Sequence, residues 1–298
     1  MEKKLSFAVF GNVFQTKKSA AISRVLDYLG RRGAGVCIES DFFRFLRQKT
    51  SLSPALQHAT TFDDGDFTAD FVISMGGDGT LLKAAMHVAD KQIPIIGVNM
   101  GRLGFLSGIT PDEIETALDA VYNGRYAVER HSVIRLETVG GTLGGCPCAL
   151  NDIALLKRDN ASMISIEVTV DGEYLATYQA DGLIISTPTG STAYSLSNGG
   201  PVIVPDTGVL CLTPVAPHSL NIRPVVIPDT ARVALAVESR NHNFLVAVDG
   251  RSERCADTTR LTVSKADYHV LTLRGGGRSY ISTLREKMGW GEDVRTKN

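Results

Sequence analysis

Cysteine is scarce in this 298-residue chain: five residues, Cys37, Cys146, Cys148, Cys211 and Cys255, odd in number and unevenly spaced. That pattern argues against a disulfide framework and suits a reducing compartment. Only Cys146-Pro147-Cys148 forms a close pair. No second Cys or His pair stands at zinc-ligand spacing, which speaks against a metal site there. His87, His131 and His218 also lack a Cys, Glu or Asp at ligand spacing and read as structural or surface residues. Long apolar runs are missing too, none approaching the ~18 residues of a membrane helix. The short run over residues 5–10 is followed by Gly11, Asn12 and Gln15, as in a first strand and unlike a signal peptide. The expectation is a cytoplasmic protein without a membrane partner. An excess of one charge is absent, the net charge being −1. No broad basic face for nucleic acid is expected. Three signatures are missing as well: a Gly-x-x-x-x-Gly-Lys-Ser/Thr phosphate loop, a Gly-x-Gly-x-x-Gly turn after the first strand, and a Gly-x-Ser-x-Gly elbow. A P-loop kinase, a Rossmann dehydrogenase and an α/β-hydrolase are each disfavoured. There is no internal repeat.

What the chain does have is an alternation of strands and helices up to about residue 124. Strands are expected at 5–10, 36–38, 70–75 and 93–98. Helical spacing of apolar residues covers 17–32, with Ile22, Val25, Leu26 and Leu29, and 81–89. Residues 42–46 fit a helix or a loop, and 51–66 read as a polar linker loop. Thr110-Pro111-Asp112-Glu113 opens a further helix with a capping box, and Gly124 closes it. Alternation of this kind predicts a parallel α/β domain, with ligands beyond the carboxyl ends of its strands. From about residue 125 to 274 helical spacing almost disappears. Residues 164–170 alternate strictly between apolar and polar, Asp171-Gly172 makes a hairpin turn into 174–177, and strands are expected at 233–237, 244–248 and 261–263. Asp249-Gly250 is another tight turn. Residues 280–290 are helical again. The expected fold is an N-terminal parallel, Rossmann-like α/β domain (1–124 plus 275–298) and an all-β domain (125–274).

Two stretches carry the chemistry. Ser74-Met75-Gly76-Gly77-Asp78-Gly79-Thr80 puts three glycines and a carboxylate between an apolar strand and a helix. Glycine reaches φ > 0 readily and lets a ligand approach the backbone. The helix start suits phosphate. Asp78 fits a proton acceptor, or a partner of a metal or a ribose hydroxyl. It also fits a simple cap of the adjacent helix in an ordinary turn. The second stretch, Asp181 to Pro201, crowds eight hydroxyls around glycines directly after the apolar Leu183-Ile184-Ile185. A loop pinned between buried strands is a common place for a binding site.

Gly76-Gly77-Asp78-Gly79-Thr80 is similar to the glycine-aspartate motif shared by NAD kinases with diacylglycerol and sphingosine kinases. Asp181 to Ser197 resembles the NAD kinase version. Asn99 to Phe105, Asn151-Asp152, Pro217-His218-Ser219-Leu220 and Arg285 to Trp290 resemble bacterial NAD kinases too, so the likeness covers nearly the whole chain. It implies a C-terminal segment returning to the first domain. It also implies transfer of the γ-phosphate of ATP, or of polyphosphate in some members, to the 2′-hydroxyl of the adenosine ribose of NAD. Magnesium or another divalent ion and a homodimer or homotetramer are implied as well. By the same resemblance Asp78 is the proton acceptor, and Gly79, Lys83 and Phe105 face NAD. Asn151 and Asp152 stand where the family has an Asn-Glu pair holding ribose hydroxyls. Asp181, Thr192, Ala193, Tyr194, Ser195, Ser197, Ala216 and Arg251 complete the implied NAD contacts. Asp152 is one methylene shorter than the family's Glu, and Gln179 stands where relatives often carry Arg. A lipid kinase and a non-catalytic dinucleotide sensor are the competing readings. The loop at 181–197 disfavours the first and the presence of Asp78 the second.

Overall fold

The computed structural model describes residues 4–12, 19–49, 58–101, 104–158, 162–274 and 279–290. The chain forms two compact units, Met1–Glu129 with Leu271–Asn298, and Arg130–Val270.

The first unit alternates strands and helices: β1 (Ser6–Gly11), α1 (Ser19–Arg31), β2 (Gly35–Glu39), α2 (Ser40–Lys49), β3 (Thr60–Phe62), β4 (Phe71–Gly76), α3 (Asp78–Val88), β5 (Ile95–Asn99) and α4 (Ile114–Tyr122). Their strands lie in the order β3-β2-β1-β4-β5, every pair parallel. β4 and β5 are buried at every position, as expected of a parallel sheet covered on both faces. Phe7, Val9, Ile73, Ile96 and Val98 from the sheet pack with Val25, Leu26 and Leu29 of α1 and Ile114 and Leu118 of α4.

Several boundaries differ from the expectation. α2 is a helix, and β3 pairs with β2 inside the segment read as a linker. Residues 17, 18 and 51–57 of those readings lie outside the described residues. Glu113 accepts from both the N–H and the hydroxyl of Thr110, at 2.9 and 2.8 Å, so half of the capping box forms. Thr110 spends its hydroxyl on that carboxylate and makes no side-chain cap; α4 begins at Ile114. Gly124 adopts φ +66° at the end of α4.

The second unit holds most of the remaining strands: β6 (Val128–Val139), β7 (Cys148–Ala149), β8 (Asp152–Leu156), β9 (Ile164–Val170), β10 (Glu173–Ala180), β11 (Gly182–Ser186), β12 (Val209–Val215), β13 (Val225–Pro228), β14 (Val233–Glu238), β15 (Asn243–Val248), β16 (Arg251–Ala256) and β17 (Arg260–Leu273). A short helix, α5 (Tyr194–Ser197), follows a 3₁₀ turn at Thr189–Thr192. One antiparallel sheet runs β10-β9-β14-β17 and the other β13-β12-β11-β8-β15-β16. Ile166, Val168 and Leu235 from the first meet Ile153, Leu183, Leu212 and Phe244 from the second in one core, the arrangement of two packed sheets. Both Asp-Gly turns have positive φ at each residue, +50° and +86° at 171–172, +47° and +78° at 249–250. That backbone twist joins adjacent antiparallel strands tightly. β17 is far longer than the expected 261–263, and its end returns the chain to the first unit, where Thr272 pairs with Ile95. The last helix, α6 (Tyr280–Met288), is capped by Ser279, whose hydroxyl accepts from the Ser282 N–H.

Candidate functional site

In the strand order of the first unit the direction of winding reverses between β1 and β4, the place where open α/β sheets bind ligands. Asp78 stands at the carboxyl end of β4. It is the first residue of α3, and Gly77 before it caps the helix with extended backbone and no side-chain hydrogen bond. Asp78 is therefore no cap. Its carboxylate reaches across the turn after β5 instead. Oδ2 accepts from the Phe105 N–H at 2.8 Å, and Oδ1 from Leu106 and Ser107 at 3.1 and 3.0 Å. A carboxylate offers about four acceptor positions, so one on Oδ2 remains. Gly104 makes this approach possible: a Cβ there would meet Asp78 Oδ1 at 2.0 Å.

The glycines of the turn are used differently from the expectation. None of Gly76, Gly77 and Gly79 has positive φ. Gly76 leaves room for Thr80, whose Oγ1 a Cβ would meet at 2.1 Å, while Gly77 and Gly79 face open space. Their missing side chains keep the surface beside Asp78 clear. The Phe105 ring lies 6.1 Å from that of Tyr280, and the Lys287 ammonium stands 4.6 Å from its centroid. Lys83, expected to face a dinucleotide, is instead ion-paired with the buried Glu39 at 2.6 Å.

In the second unit the organising residue is Asp249. It accepts from three successive N–H groups, Leu150 and Asn151 at 2.8 Å and Asp152 at 3.2 Å. Asn151 and Asp152 are thus fixed by their backbone. Asp152 is buried, 6% exposed, and no hydrogen bond is among the causes that shift its carboxyl. Burial first, and then the nearby Asp249 charge, raise its pKa to about 7. Burial raises Asp249 as well, against the three N–H bonds. Asp249 had been legible only as a turn residue; a carboxylate at the end of the apolar run 244–248 was the available signal.

The hydroxyl-rich loop folds onto this centre. Thr187 donates to Leu150 O and its N–H to Asn151 O, at 2.6 and 2.9 Å. Thr189 bonds the His131 ring at 3.1 Å. A Cβ on Gly190 would meet Asn151 O at 2.0 Å. Ser195, expected to touch a ligand, is fully buried and bonded to Thr213 at 2.8 Å. Its hydroxyl serves the fold. Ala193, Tyr194 and Ser197 are exposed and Thr192 is half-buried. Arg251, on the strand after Asp249, has a buried Nη2 without a hydrogen bond. Asp181 and Ala216 lie apart from this group. They meet at the other end of β11, where the Asp181 N–H donates to Val215 O and Lys157 pairs with its carboxylate at 2.7 Å. Five residues of β11 separate the two ends, about 15 Å at strand rise. Gln179 donates to Ser165 at 3.0 Å. His87 stacks on Phe10 at 5.6 Å. Among the described residues no three His, Cys, Asp or Glu side chains stand together as a metal-ligand set.

Comparison with known proteins bears on both units. The model of the ATP-NAD kinase N-terminal domain matches residues 15–126, and that of the ATP-NAD kinase C-terminal domain matches 150–275. An NAD kinase of Bacteroides fragilis is 52% identical over 98% of this chain and 100% of its own length. One from Cytophaga hutchinsonii is 38% identical over 97% of this chain and 99% of its own. The crystal structure of yeast NADH kinase complexed with NADH has the same fold, with a TM-score of 0.89 at 22% identity over 99% of this chain and 90% of that one. An NAD kinase from Archaeoglobus fulgidus in complex with ATP superposes with a TM-score of 0.71 at 26% identity, over 96% of this chain and 98% of that one.

Proposed function

This chain belongs to the NAD kinase family and is a phosphotransferase, and on that premise we propose that it moves the γ-phosphoryl group of ATP to the 2′-hydroxyl of the adenosine ribose of NAD. The ribose oxygen bonds to phosphorus, the bond to the β-phosphate oxygen breaks, and ADP leaves. The hydroxyl proton passes to Asp78. The observation that carries this role is the Asp78 carboxylate itself, held by three N–H groups with one acceptor position left on Oδ2. A base so fixed has no freedom to lose when the hydroxyl arrives, and phosphoryl transfer depends on positioning above all. The open surface at Gly77 and Gly79 and the positive start of α3 suit the anionic donor.

Asp152, buried and fixed by its backbone bond to Asp249, is proposed to accept a ribose hydroxyl of NAD. Exposed Ala193, Tyr194 and Ser197 and half-buried Thr192 remain as dinucleotide contacts. The cation is proposed as part of the substrate, the magnesium complex of ATP; among the described residues no group of three ligating side chains stands together. Bound there, it neutralises phosphate charge. A cytoplasmic homodimer or homotetramer is proposed; the open edges β10 and β13 support self-association.

The test is the purified protein with NAD, ATP and magnesium, its product assayed by an NADP-specific dehydrogenase and its phosphate position read by NMR. The proposal predicts a 2′-phosphate. A 3′-phosphate, or no product, would refute it.

A further inference from the structure

Cys146 and Cys148 flank Pro147 at the entry to β7, in a part of the second unit that the phosphoryl transfer above does not use. The segment is pinned. Glu253 accepts from Gly144 and Gly145 at 2.7 and 2.8 Å, and Pro147 O accepts from the Leu136 N–H at 2.8 Å. β7 pairs Cys148 with Arg135. The two thiols are therefore neighbours across one proline: Cys146 Sγ lies 3.9 Å from Cys148 O, and each side chain shifts the other's pKa. Each thiol also has its own guanidinium, Arg251 at Cys146 and Arg135 at Cys148, and Tyr268 bonds Cys148. Both cysteines are half-buried, beside the exposed Gly144 and Gly145.

We propose that Cys146 and Cys148 are a reactive dithiol site whose substrates are hydroperoxides, with Cys146 the attacking and Cys148 the resolving sulfur. The Cys146 thiolate attacks one peroxide oxygen, and the O–O bond breaks. Cys146 becomes a sulfenic acid, and the departing hydroxide, or alkoxide from an organic hydroperoxide, takes a proton to leave as water or an alcohol. Cys148 then attacks the sulfenic sulfur. The S–S bond forms, the S–O bond breaks, and the hydroxyl leaves as water with the Cys148 proton. The two sulfurs together lose two electrons and the peroxide gains them. An external dithiol reverses the step by exchange, ending as a disulfide itself.

The electrostatics divide the roles in that direction. The hydrogen bond from Cys148 and the charge of Arg251 lower the Cys146 pKa, whereas the same hydrogen bond and burial raise Cys148. Nucleophilic thiols are thiolates in electropositive, reachable surroundings with a resolving Cys alongside. Once Cys146 is oxidised, the interaction that keeps Cys148 protonated is gone. Cys37 provides the contrast within the same chain: its thiol donates to Phe7 O at 3.6 Å, and burial raises its pKa.

The experiment treats the purified protein with limiting hydrogen peroxide and reads the peptide containing both cysteines by mass spectrometry, then measures iodoacetamide labelling at pH 7. The expected result is a Cys146–Cys148 disulfide that dithiothreitol removes, and a sulfenic acid at Cys146 trapped by dimedone in Cys148→Ser. Cys146 should label at least about tenfold faster than Cys37, an advantage that Arg251→Gln reduces. Labelling of Cys146 no faster than Cys37, or absence of the disulfide after peroxide, overturns the proposal. Neither readout depends on phosphoryl transfer.

Discussion

Two carboxylates in this protein do the same local work in different settings. Asp78 gathers the N–H groups of 105–107, and Asp249 those of 150–152. Each reaches across a long sequence separation to fix one short turn. The first stands at the start of a helix beside glycines that leave the surface open. The second stands in a tight turn with left-handed backbone, enclosed, with its pKa raised by burial. The difference teaches that the three-point grip is a scaffold in both units. On the proposed function, the gripping carboxylate becomes the reacting one only where it leaves a free, reachable oxygen, and in the second unit the proposed ribose contact falls to a neighbour, Asp152.

The largest effect expected from breaking this comparison is on the fold. Asp249→Ala leaves three N–H groups without their acceptor, a loss on the order of 3–5 kcal/mol. A melting temperature about 10 °C lower should follow by scanning fluorimetry. A fall of under about 2 °C, well below that scale, would mean that water replaces the carboxylate.

Asp152→Asn sharpens the contrast through pH. The folded protein keeps the Asp152 proton up to about pH 7, while an unperturbed aspartate loses it near 3.8. Between those values the folded state binds more protons, so this group's contribution to stability falls as pH rises through the window and is flat above it. The substitution should raise Tm at pH 8 and leave it nearly unchanged at pH 4, with the difference bounded at about 4 kcal/mol. An equal gain at both values would show that the carboxyl is not held neutral. Smaller again is Gly104→Ala, which pushes a methyl against Asp78 Oδ1. It should lower kcat roughly 10–100-fold through displacement of the base; unchanged kcat would free Asp78 from its assigned geometry. The smallest effect on catalysis is expected at Lys83→Met. Its pair with Glu39 is 41% exposed on the lysine side but 9% on the glutamate side, so the stability loss is about 1–3 kcal/mol. The KM for NAD should hold within about threefold, because the ammonium is directed at Glu39 and a contact of this kind is worth little. A tenfold rise, equivalent to about 1.4 kcal/mol, would restore Lys83 as a ligand residue.

Much of the frame is readable in the sequence. The strands of the first unit follow apolar runs, and the change from helical spacing to alternation marks where the second unit's strands take over. The Asp78 turn stood out because glycine and carboxylate interrupt a strand-helix junction. The grips did not, because the partners of Asp78 lie 27–29 residues away and those of Asp249 97–99. No periodicity reports a side chain that bonds a remote backbone. The hydroxyl-rich loop was visible as composition, yet composition does not tell a buried Ser195 from an exposed Ser197. The ion pair of Lys83 was hidden for a related reason: its partner Glu39 ends strand β2, and the pairing exists only once helix α3 packs on the sheet. The separation of Asp181 and Ala216 from Asp152 likewise comes from the length of β11, which the motif compresses into one continuous string.

The central claim, one grip with two outcomes, is tested most directly by measuring kcat and Tm together for Asp78→Asn and Asp249→Asn. The account predicts that Asp78→Asn lowers kcat by at least about a hundredfold with Tm within a few degrees of the parent protein. Asp249→Asn should lower Tm markedly and keep most of kcat in the molecules that remain folded. If Asp78→Asn instead kept its kcat and lost stability as Asp249→Asn does, Asp78 would be scaffold alone, and the base would have to be sought elsewhere, first at Asp152.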